Sequence, residues 1–211
     1  MSKLKLCLVI LAALAWLLAM SSWVMCAPQI PQRAAQHRAL LTREARAQWG
    51  LDAPVATFAA QIHQESAWRD DAVSPVGAQG LAQFMPATSR WLPEVAPETG
   101  APMPFSPSWS IRAMVTYDRW LWRKVRAASD CDRMAMTLSA YNGGLGWLHR
   151  DQALVESIGM NPGLWSHVAM VNAGRSAANF RENRGYPTRI LNVLTNLYRE
   201  AGWGKGACDD R

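Results

Sequence analysis

The chain has 211 residues, a length that suits one domain with short flanking segments and that is sufficient to bury a core. Hydrophobic residues make up 50% and charged residues 18%, which excludes an intrinsically disordered chain. The formal net charge is +6, and its scattered Lys and Arg residues favour an anionic partner without the basic clusters of nucleic-acid binding. We therefore predict no nucleic-acid partner.

The first 27 residues have the pattern of a secretory signal peptide. Lys3 and Lys5 form a basic start, residues 6–20 are an apolar run, and the small residue Ala27 suits a cleavage site. We expect cleavage near Ala27 and export to the periplasm or cell envelope. The alternative is an uncleaved segment that tethers the protein to the inner membrane, because a few more apolar residues would lengthen the run toward a membrane span.

The remainder is predicted to be all-α. Helix-forming residues dominate and alternating β-branched runs are scarce. We predict an N-terminal linker and helix in residues 28–52, with the helix over Ala34–Trp49. The main domain is then expected over residues 53–200 and a C-terminal tail over 201–211.

The second predicted helix carries the most informative carboxylate. Asp52 and Pro54 suit a helix start, and apolar residues then recur at three- and four-residue spacing. Gln61 and Glu65 lie one turn apart on the flank of this apolar face. At such a border a carboxylate is partly desolvated and can still reach a ligand.

Loops and short helices are predicted after Glu65. Residues 69–80 read as a loop because two glycines permit positive φ, and residues 81–92 read as a helix that Pro93 ends. The proline-rich segment 94–107 is expected to be a surface loop, either one wall of a cleft or a mere connection.

The second half of the chain predicts further helices. These cover residues 110–128, 131–141 and 147–158, with a closing helix over 187–201. Residues 159–184 give no clear element.

The cysteines predict one disulfide. Cys7 and Cys26 lie in the signal segment, which leaves Cys131 and Cys208 in an oxidising compartment. A bond between them would fix the C-terminal tail to the domain. The alternative is two free thiols.

The sequence offers carboxylate chemistry rather than another catalytic set. It has no metal-ligand spacing, nucleophile elbow, P-loop or dinucleotide fingerprint, so we predict no metal and no cofactor. Trp68, Phe84 and Met85 are expected to form an apolar wall that raises the pKa of Glu65 toward neutrality. Taken alone, a glutamate at this position is more often a solvated helix acid.

Four motifs together resemble a known family. ESAW at 65–68, SPVGAQGLAQFMPAT at 74–88, AYNGG at 140–144 and RENRGYPTRIL at 181–191 are similar to the soluble lytic transglycosylase (SLT) domain, a relative of goose-type lysozymes. The resemblance implies an all-α, lysozyme-like fold with loop-rich cleft walls. It also implies cleavage of the glycan strands of peptidoglycan.

The resemblance assigns roles to individual residues. Glu65 would be the single catalytic acid and base. Glu182 matches the acid of the late motif, with a surface acid paired to a nearby Arg as the alternative. The expected substrate-binding residues are Ser74, Gln83, Met85, Tyr141, Asn142 and Glu182.

The chain departs from the family pattern at several positions. Ala82 replaces a common Met, and Gly143-Gly144 stands where Ala-Gly is commoner. The late motif has Asn183 in place of Thr and Pro187 in place of an apolar residue. The proline puts the placement of Glu182 and Tyr186 in question.

The implied reaction is cleavage of the bond between N-acetylmuramic acid and N-acetylglucosamine with formation of a 1,6-anhydro product. The alternatives are a lysozyme that hydrolyses the same bond, and a non-catalytic wall-binding component of an envelope-spanning assembly. The role could be wall turnover or local opening of the wall for secretion, conjugation or phage machinery. No separate wall-binding module is recognised in the sequence, which favours recruitment by such an assembly.

Overall fold

The computed structural model describes residues 29–209. The predicted signal peptide, and with it the question of an inner-membrane tether, lies outside the described residues. Within residues 29–209 no helix is both long enough and apolar enough to span a membrane.

The described part of the chain is mainly helical, which confirms the all-α prediction. Residues 29–209 contain no β-sheet, only isolated bridges of Gln79 with Val73 and Phe84. The helices are α1 (Ala34–Trp49), α2 (Val55–Ser66), α3 (Pro86–Val95), α4 (Pro107–Lys124), α5 (Asp130–Gly143), α6 (Leu145–Ser157), α7 (Trp165–Met170), α8 (Ala177–Arg189) and α9 (Thr195–Glu200). A 3-10 turn at Pro97–Thr99 follows α3, and a π-helical turn at Ile190–Leu194 joins α8 to α9.

Helix α2 is the centre of the fold. Every residue from 55 to 62 is buried, so the helix is enclosed on all sides rather than on one face. Helix α1, the π-helical turn and α9 pack around it. Complete burial of a side chain such as Phe58 or Ile62 stabilises the fold by roughly 1.5–3 kcal/mol each. The packing fixes α2 rigidly, and its last turn carries Glu65.

Helix α1 is packed onto the same core. Trp49 donates its indole N–H to the carbonyl of Val115 on α4 at 2.8 Å, and its ring contacts Phe58 and Trp122. The helix ends at Trp49, as its sequence predicts, and Gly50 follows with φ of 84°. The division of the chain at residues 52 and 200 stays a prediction.

Three predicted helix boundaries that involve proline are wrong. The helix expected over 81–92 begins at Pro86, because residues 79–84 form a turn closed by paired backbone hydrogen bonds between Gln79 and Phe84. Pro93 lies within α3, in its last turns, instead of ending it. Pro187 does not begin the closing helix; it lies inside α8.

The segment that gave no clear element, 159–184, contains α7 and the first half of α8. Helix α8 has few apolar residues and buries only Asn183, Tyr186 and Pro187. Such a helix has no apolar stripe for periodicity to detect.

The predicted disulfide is confirmed. Cys131, at the start of α5, is bonded to Cys208, 77 residues later. The same C-terminal segment also binds α2, since Ala56 donates its N–H to the carbonyl of Lys205 and Ala207 donates its N–H to Thr57 Oγ1. The tail is therefore attached to the domain by a covalent bond and by hydrogen bonds.

Replacing both bonded cysteines by serine should lower the free energy of unfolding by about 2–4 kcal/mol, because the bond closes a long loop in the unfolded chain. Urea denaturation monitored by circular dichroism would measure the change. Reductant should destabilise the native protein and leave the double variant unaffected. An unchanged urea midpoint in the variant would contradict this expectation.

Candidate active site

A cleft of about 740 Å³ lies at the C-terminal end of α2. Its walls come from α2, the loop that follows it, α4, α5 and α8. The structure brings all the predicted site residues to this one cleft, and their individual roles stay predictions. They are Glu65, Ser74, Gln83, Met85, Tyr141, Asn142 and Glu182.

Glu65 lies half-buried on the cleft wall and accepts a hydrogen bond from the hydroxyl of Tyr186 at 2.5 Å. Burial raises the pKa of Glu65 to about 8. The Tyr186 hydrogen bond opposes this rise because it favours the carboxylate, whereas the negative charge of Glu182 adds to it. The predicted direction of the shift is therefore confirmed.

This pKa makes Glu65 a proton donor at neutral pH. A group with a pKa near 8 is protonated about ten to one at pH 7. Tyr186 donates to Oε1, so the carboxyl proton is left to Oε2. The same hydroxyl stabilises the carboxylate once that proton has gone. One side chain can thus give up a proton and later accept another.

The predicted apolar wall beside Glu65 is wrong at Trp68, which does not line the cleft. Ala67 and Trp68 have φ of 49° and 65°, a left-handed turn that costs roughly 1–3 kcal/mol per residue. This turn sends the indole into the core, where it donates to the hydroxyl of Tyr198 at 2.6 Å. Burial of the large ring offsets the strain. Aromatic side chains line the cleft instead: Phe84, Tyr117, Tyr141 and Tyr186.

The loop after α2 is held by its own polar side chains. Ser74 Oγ accepts the backbone N–H of Ala78 at 2.9 Å. Gln83 Nε2 donates to the carbonyls of Ala72 and Gly80 at 3.2 and 2.8 Å. These bonds fix the shape of the loop and leave the Ser74 hydroxyl proton and Gln83 Oε1 for a ligand.

The proline-rich segment supports this loop from behind. A Cβ added to Gly80 would lie 1.8 Å from the carbonyl oxygen of Pro104, so only glycine fits at this contact. No residue of 94–107 lines the cleft. The segment therefore supports the cleft loop through this contact and does not form a wall of the cleft.

Helices α5 and α8 meet through a chain of amides. Asn183 Nδ2 donates to Asn142 Oδ1 at 3.1 Å, and Asn142 Nδ2 donates to Glu182 Oε1 at 3.4 Å. Tyr141 donates its hydroxyl to the carbonyl of Ala82 at 2.7 Å. None of the ion pairs among residues 29–209 involves Glu182, so the alternative of an Arg-paired surface acid is not favoured.

Two departures from the family pattern depend on each other. Asn183 is buried and also exchanges hydrogen bonds with Ser139 through both ends of its amide. A Cβ added at Gly143 would lie 2.5 Å from Asn183 Nδ2. An alanine at 143 would therefore force the Asn183 amide to shift out of these hydrogen bonds.

The contact of Tyr186 with the proposed catalytic acid was not predicted from the sequence. The unusual Pro187 placed it in question, but the proline is accommodated inside α8 and Tyr186 reaches Glu65. Burial and the charge of Glu65 raise the pKa of the Tyr186 hydroxyl, so it stays a donor.

A second carboxyl group, Asp118 on α4, was not predicted at all. It is completely buried and accepts a hydrogen bond from Gln61 Nε2 at 3.3 Å. Burial raises its pKa well above the ordinary value; the Gln61 bond opposes the shift and the charge of Glu65 adds to it. Asp118 does not line the cleft. Its spacing from Ile111 and Trp122, on the apolar stripe of the helix, was the signal for its burial.

Within residues 29–209, no group of three or more His, Cys, Asp or Glu side chains is placed to hold a metal ion. The expectation that the protein uses no cofactor stays a prediction.

Opposite shifts of the Glu65 pKa are expected from two substitutions. Tyr186→Phe removes a bond that favours the carboxylate and should raise the pKa further, whereas Glu182→Gln removes a negative charge and should lower it. Carbon-13 NMR titration of the labelled carboxyl group would measure both. Glu98→Gln, at an exposed turn, is the matched control and should change nothing. Shifts in the same direction would contradict the assigned causes.

Similar proteins are longer than this chain. Membrane-bound lytic murein transglycosylase F of Alteromonas mediterranea is 35% identical over 133 residues, which are 62% of this chain and 26% of that protein. The same enzyme of Actinobacillus succinogenes is 33% identical over 53% of this chain and 22% of its own length. The chain thus spans about a quarter of the length of the relatives it matches.

Solved structures share the fold. The 70 kDa soluble lytic transglycosylase of Escherichia coli superposes with a TM-score of 0.58 and 23% identity, over 80% of this chain and 25% of that one. A complex of a 70 kDa soluble lytic transglycosylase with bulgecin A gives a TM-score of 0.58 at 22% identity, over 83% of this chain and 26% of that one. The predicted fold class is confirmed.

The family model described as Transglycosylase SLT domain matches residues 41–160. This range includes Glu65, the loop after it and the Tyr141-Asn142 pair, and ends before α8. Glu182 and Tyr186 therefore join the site through the tertiary structure rather than through the family match. The matched range is more than half of the chain, and the protein belongs to the transglycosylase SLT domain family.

Proposed function

We propose that this protein is a lytic transglycosylase that cleaves the β-1,4 bond between N-acetylmuramic acid and N-acetylglucosamine in peptidoglycan. The observation that carries the proposal is a single carboxyl group, Glu65, with a pKa of about 8 on the wall of an open cleft. The family membership and the names of the similar proteins support the same activity.

In the first step Glu65 acts as a general acid. Its proton passes from Oε2 to the oxygen that bridges the two sugars, and the bond from that oxygen to C1 of the muramoyl residue breaks. The N-acetylglucosamine portion leaves with a hydroxyl group. Glu65 becomes a carboxylate, which the Tyr186 hydroxyl stabilises at Oε1.

In the second step the strand supplies its own nucleophile. The positive charge at C1 is stabilised by the neighbouring acetamido group of the substrate or by dipoles of the cleft. The Glu65 carboxylate then takes the proton of the muramoyl C6 hydroxyl, whose oxygen bonds to C1. The product is a 1,6-anhydro sugar, Glu65 regains its proton, and no water is consumed.

The arrangement of acids favours a mechanism with one carboxylate. Glycosidases with two catalytic carboxyl groups hold both at the scissile bond. Here Asp118 is completely buried, and burial raises its pKa well above the ordinary value. Glu182 is exposed and accepts a hydrogen bond from Asn142. Asp118 does not line the cleft, so it cannot act as a nucleophile at a bond held there. The internal C6 hydroxyl makes a second carboxylate unnecessary.

We also propose that the protein acts in the periplasm or cell envelope on the glycan strands of peptidoglycan. The signal-like pattern of residues 1–27 and the name "membrane-bound" of its relatives support this location. Recruitment by secretion, conjugation or phage machinery stays a prediction.

Glu65→Gln should abolish cleavage while keeping the fold. The amide occupies the same volume but cannot donate the proton, so activity should fall by at least about a hundredfold. Release of soluble fragments from purified peptidoglycan sacculi would measure it. Glu98→Gln is the control with an equivalent change far from the cleft. Wild-type rates in Glu65→Gln would exclude the assignment and favour a non-catalytic wall-binding protein.

The masses of the released fragments should distinguish the transglycosylase from a lysozyme. An intramolecular C6 attack gives anhydro ends that are lighter by one water than the reducing ends of hydrolysis. We expect the anhydro form to dominate in mass spectra. Incorporation of oxygen-18 from labelled water into the new ends would show hydrolysis instead.

A further inference from the structure

A hydrogen bond inside the protein links α4 to the helix that carries Glu65. Gln61 Nε2 donates to Asp118 Oδ1 at 3.3 Å, and both side chains are fully buried. Gln61 lies one helical turn before Glu65, and residues four apart share one face of a helix. The bond therefore holds α2 at the turn that precedes the proposed general acid.

Each partner of this bond has a second oxygen without a partner. Asp118 Oδ2 and Gln61 Oε1 are buried, and neither has a hydrogen-bond partner among residues 29–209. Buried polar atoms are almost always paired, because an unpaired acceptor in a dry interior costs free energy. The hydroxyls of Tyr141 and Tyr186 already donate to other acceptors.

A proton on Asp118 Oδ2 would satisfy both oxygens at once. An ionised carboxylate can only accept hydrogen bonds, whereas a protonated carboxyl group has one O–H donor. Gln61 Oε1 is the acceptor that this donor needs, and the two groups then form a ring closed by two hydrogen bonds. None of the ion pairs among residues 29–209 gives Asp118 a cation that would favour its charged form.

The titratable groups around Asp118 favour its neutral form. They come from four helices and are Glu65 on α2, Tyr117 on α4, Tyr141 on α5 and Tyr186 on α8. Burial raises the pKa of each of these tyrosine hydroxyls, so all three are neutral near pH 7. Burial also raises the pKa of Asp118, the Gln61 bond opposes this rise, and the charge of Glu65 adds to it. Asp118 therefore keeps its proton when Glu65 gives up its own.

We propose that Asp118 is a positioning residue that carries a proton on Oδ2 and donates it to Gln61 Oε1. The ring of two hydrogen bonds ties α4 to the turn of α2 before Glu65 and places no second charge beside the acid. Asp118 exchanges no proton with a substrate, because it does not line the cleft. Its contribution to cleavage rests on the proposed function, whereas the ring itself does not.

The pH dependence of unfolding tests the proton. A carboxyl group that is protonated in the native state and ionised in the unfolded chain makes the protein less stable as the pH rises above about 4. Each such proton raises the equilibrium constant of unfolding about tenfold per pH unit. The ratio of the wild-type constant to that of Asp118→Asn should therefore rise about a hundredfold from pH 5 to pH 7. Urea denaturation at each pH measures both constants, and the contribution of Glu65 is common to them.

Asp52→Asn is the matched control, because the Asp52 side chain is 93% exposed and pairs with Lys205 at the surface. The ratio of the wild-type constant to that of this variant should stay constant over the same pH range. Parallel pH dependence in the wild type and Asp118→Asn would overturn the proposal. It would show that Asp118 is ionised and that a water molecule donates to the two oxygens instead.

Cleavage of soluble peptidoglycan strands tests the positioning role. Asp118→Leu removes the ring at similar volume and should lower kcat about tenfold, with little change in KM because no group that lines the cleft is lost. Asp118→Asn can form the same two bonds through its amide and should recover most of this loss. Wild-type kcat in Asp118→Leu would overturn the role.

A loss in Asp118→Asn as large as in Asp118→Leu would also overturn the role. If Asp118→Leu does not fold, the comparison of Asp118→Asn with the wild type decides alone, and a tenfold lower kcat in Asp118→Asn would count against the role. A wild type that cleaves no strands would contradict the proposed function, and the unfolding experiment would still test the ring.

Discussion

The hydrogen bond from Tyr186 to Glu65 is the contact on which the site depends. It joins the enclosed helix α2 to the polar helix α8, across 121 positions of sequence. Burial alone would hold Glu65 protonated, which suits an acid but hinders its return as a base. The Tyr186 hydroxyl opposes that effect by stabilising the carboxylate. The pKa of about 8 results from burial and the charge of Glu182, which raise it, and from this hydrogen bond, which lowers it. Glu65 can then both donate and accept a proton near neutral pH.

The position of Tyr186 depends in turn on how α8 is attached. Helix α8 has almost no apolar face, and Asn183 replaces hydrophobic contact with four hydrogen bonds to α5 and to its neighbour Arg184. Gly143 makes room for that amide. Pro187 removes one N–H from the helix, and the π-helical turn at Ile190–Leu194 follows within one turn. Asn183, Gly143 and Pro187 depart from the family pattern, but they are compatible with one another in the attachment of α8.

The carboxyl groups of Glu65 and Asp118 differ in their depth of burial, and this difference separates their chemistry. Asp118 is fully buried with one partner, Gln61, so its neutral form is favoured and it adds no charge beside Glu65. Glu65 is open to the cleft and can exchange its proton with a ligand.

The sequence by itself predicted the all-α class, the disulfide and seven of the residues that line the cleft, because helix periodicity, paired cysteines and contiguous motifs are local signals. The direction of the Glu65 shift also followed from its place at the edge of an apolar face. Only the tertiary structure decided that Trp68 turns into the core, that Asp118 is buried under the cleft and that Tyr186 reaches Glu65. Each of these depends on what covers a side chain. Periodicity identifies an apolar face, but the element that packs on it comes from distant sequence and is fixed only when the chain folds.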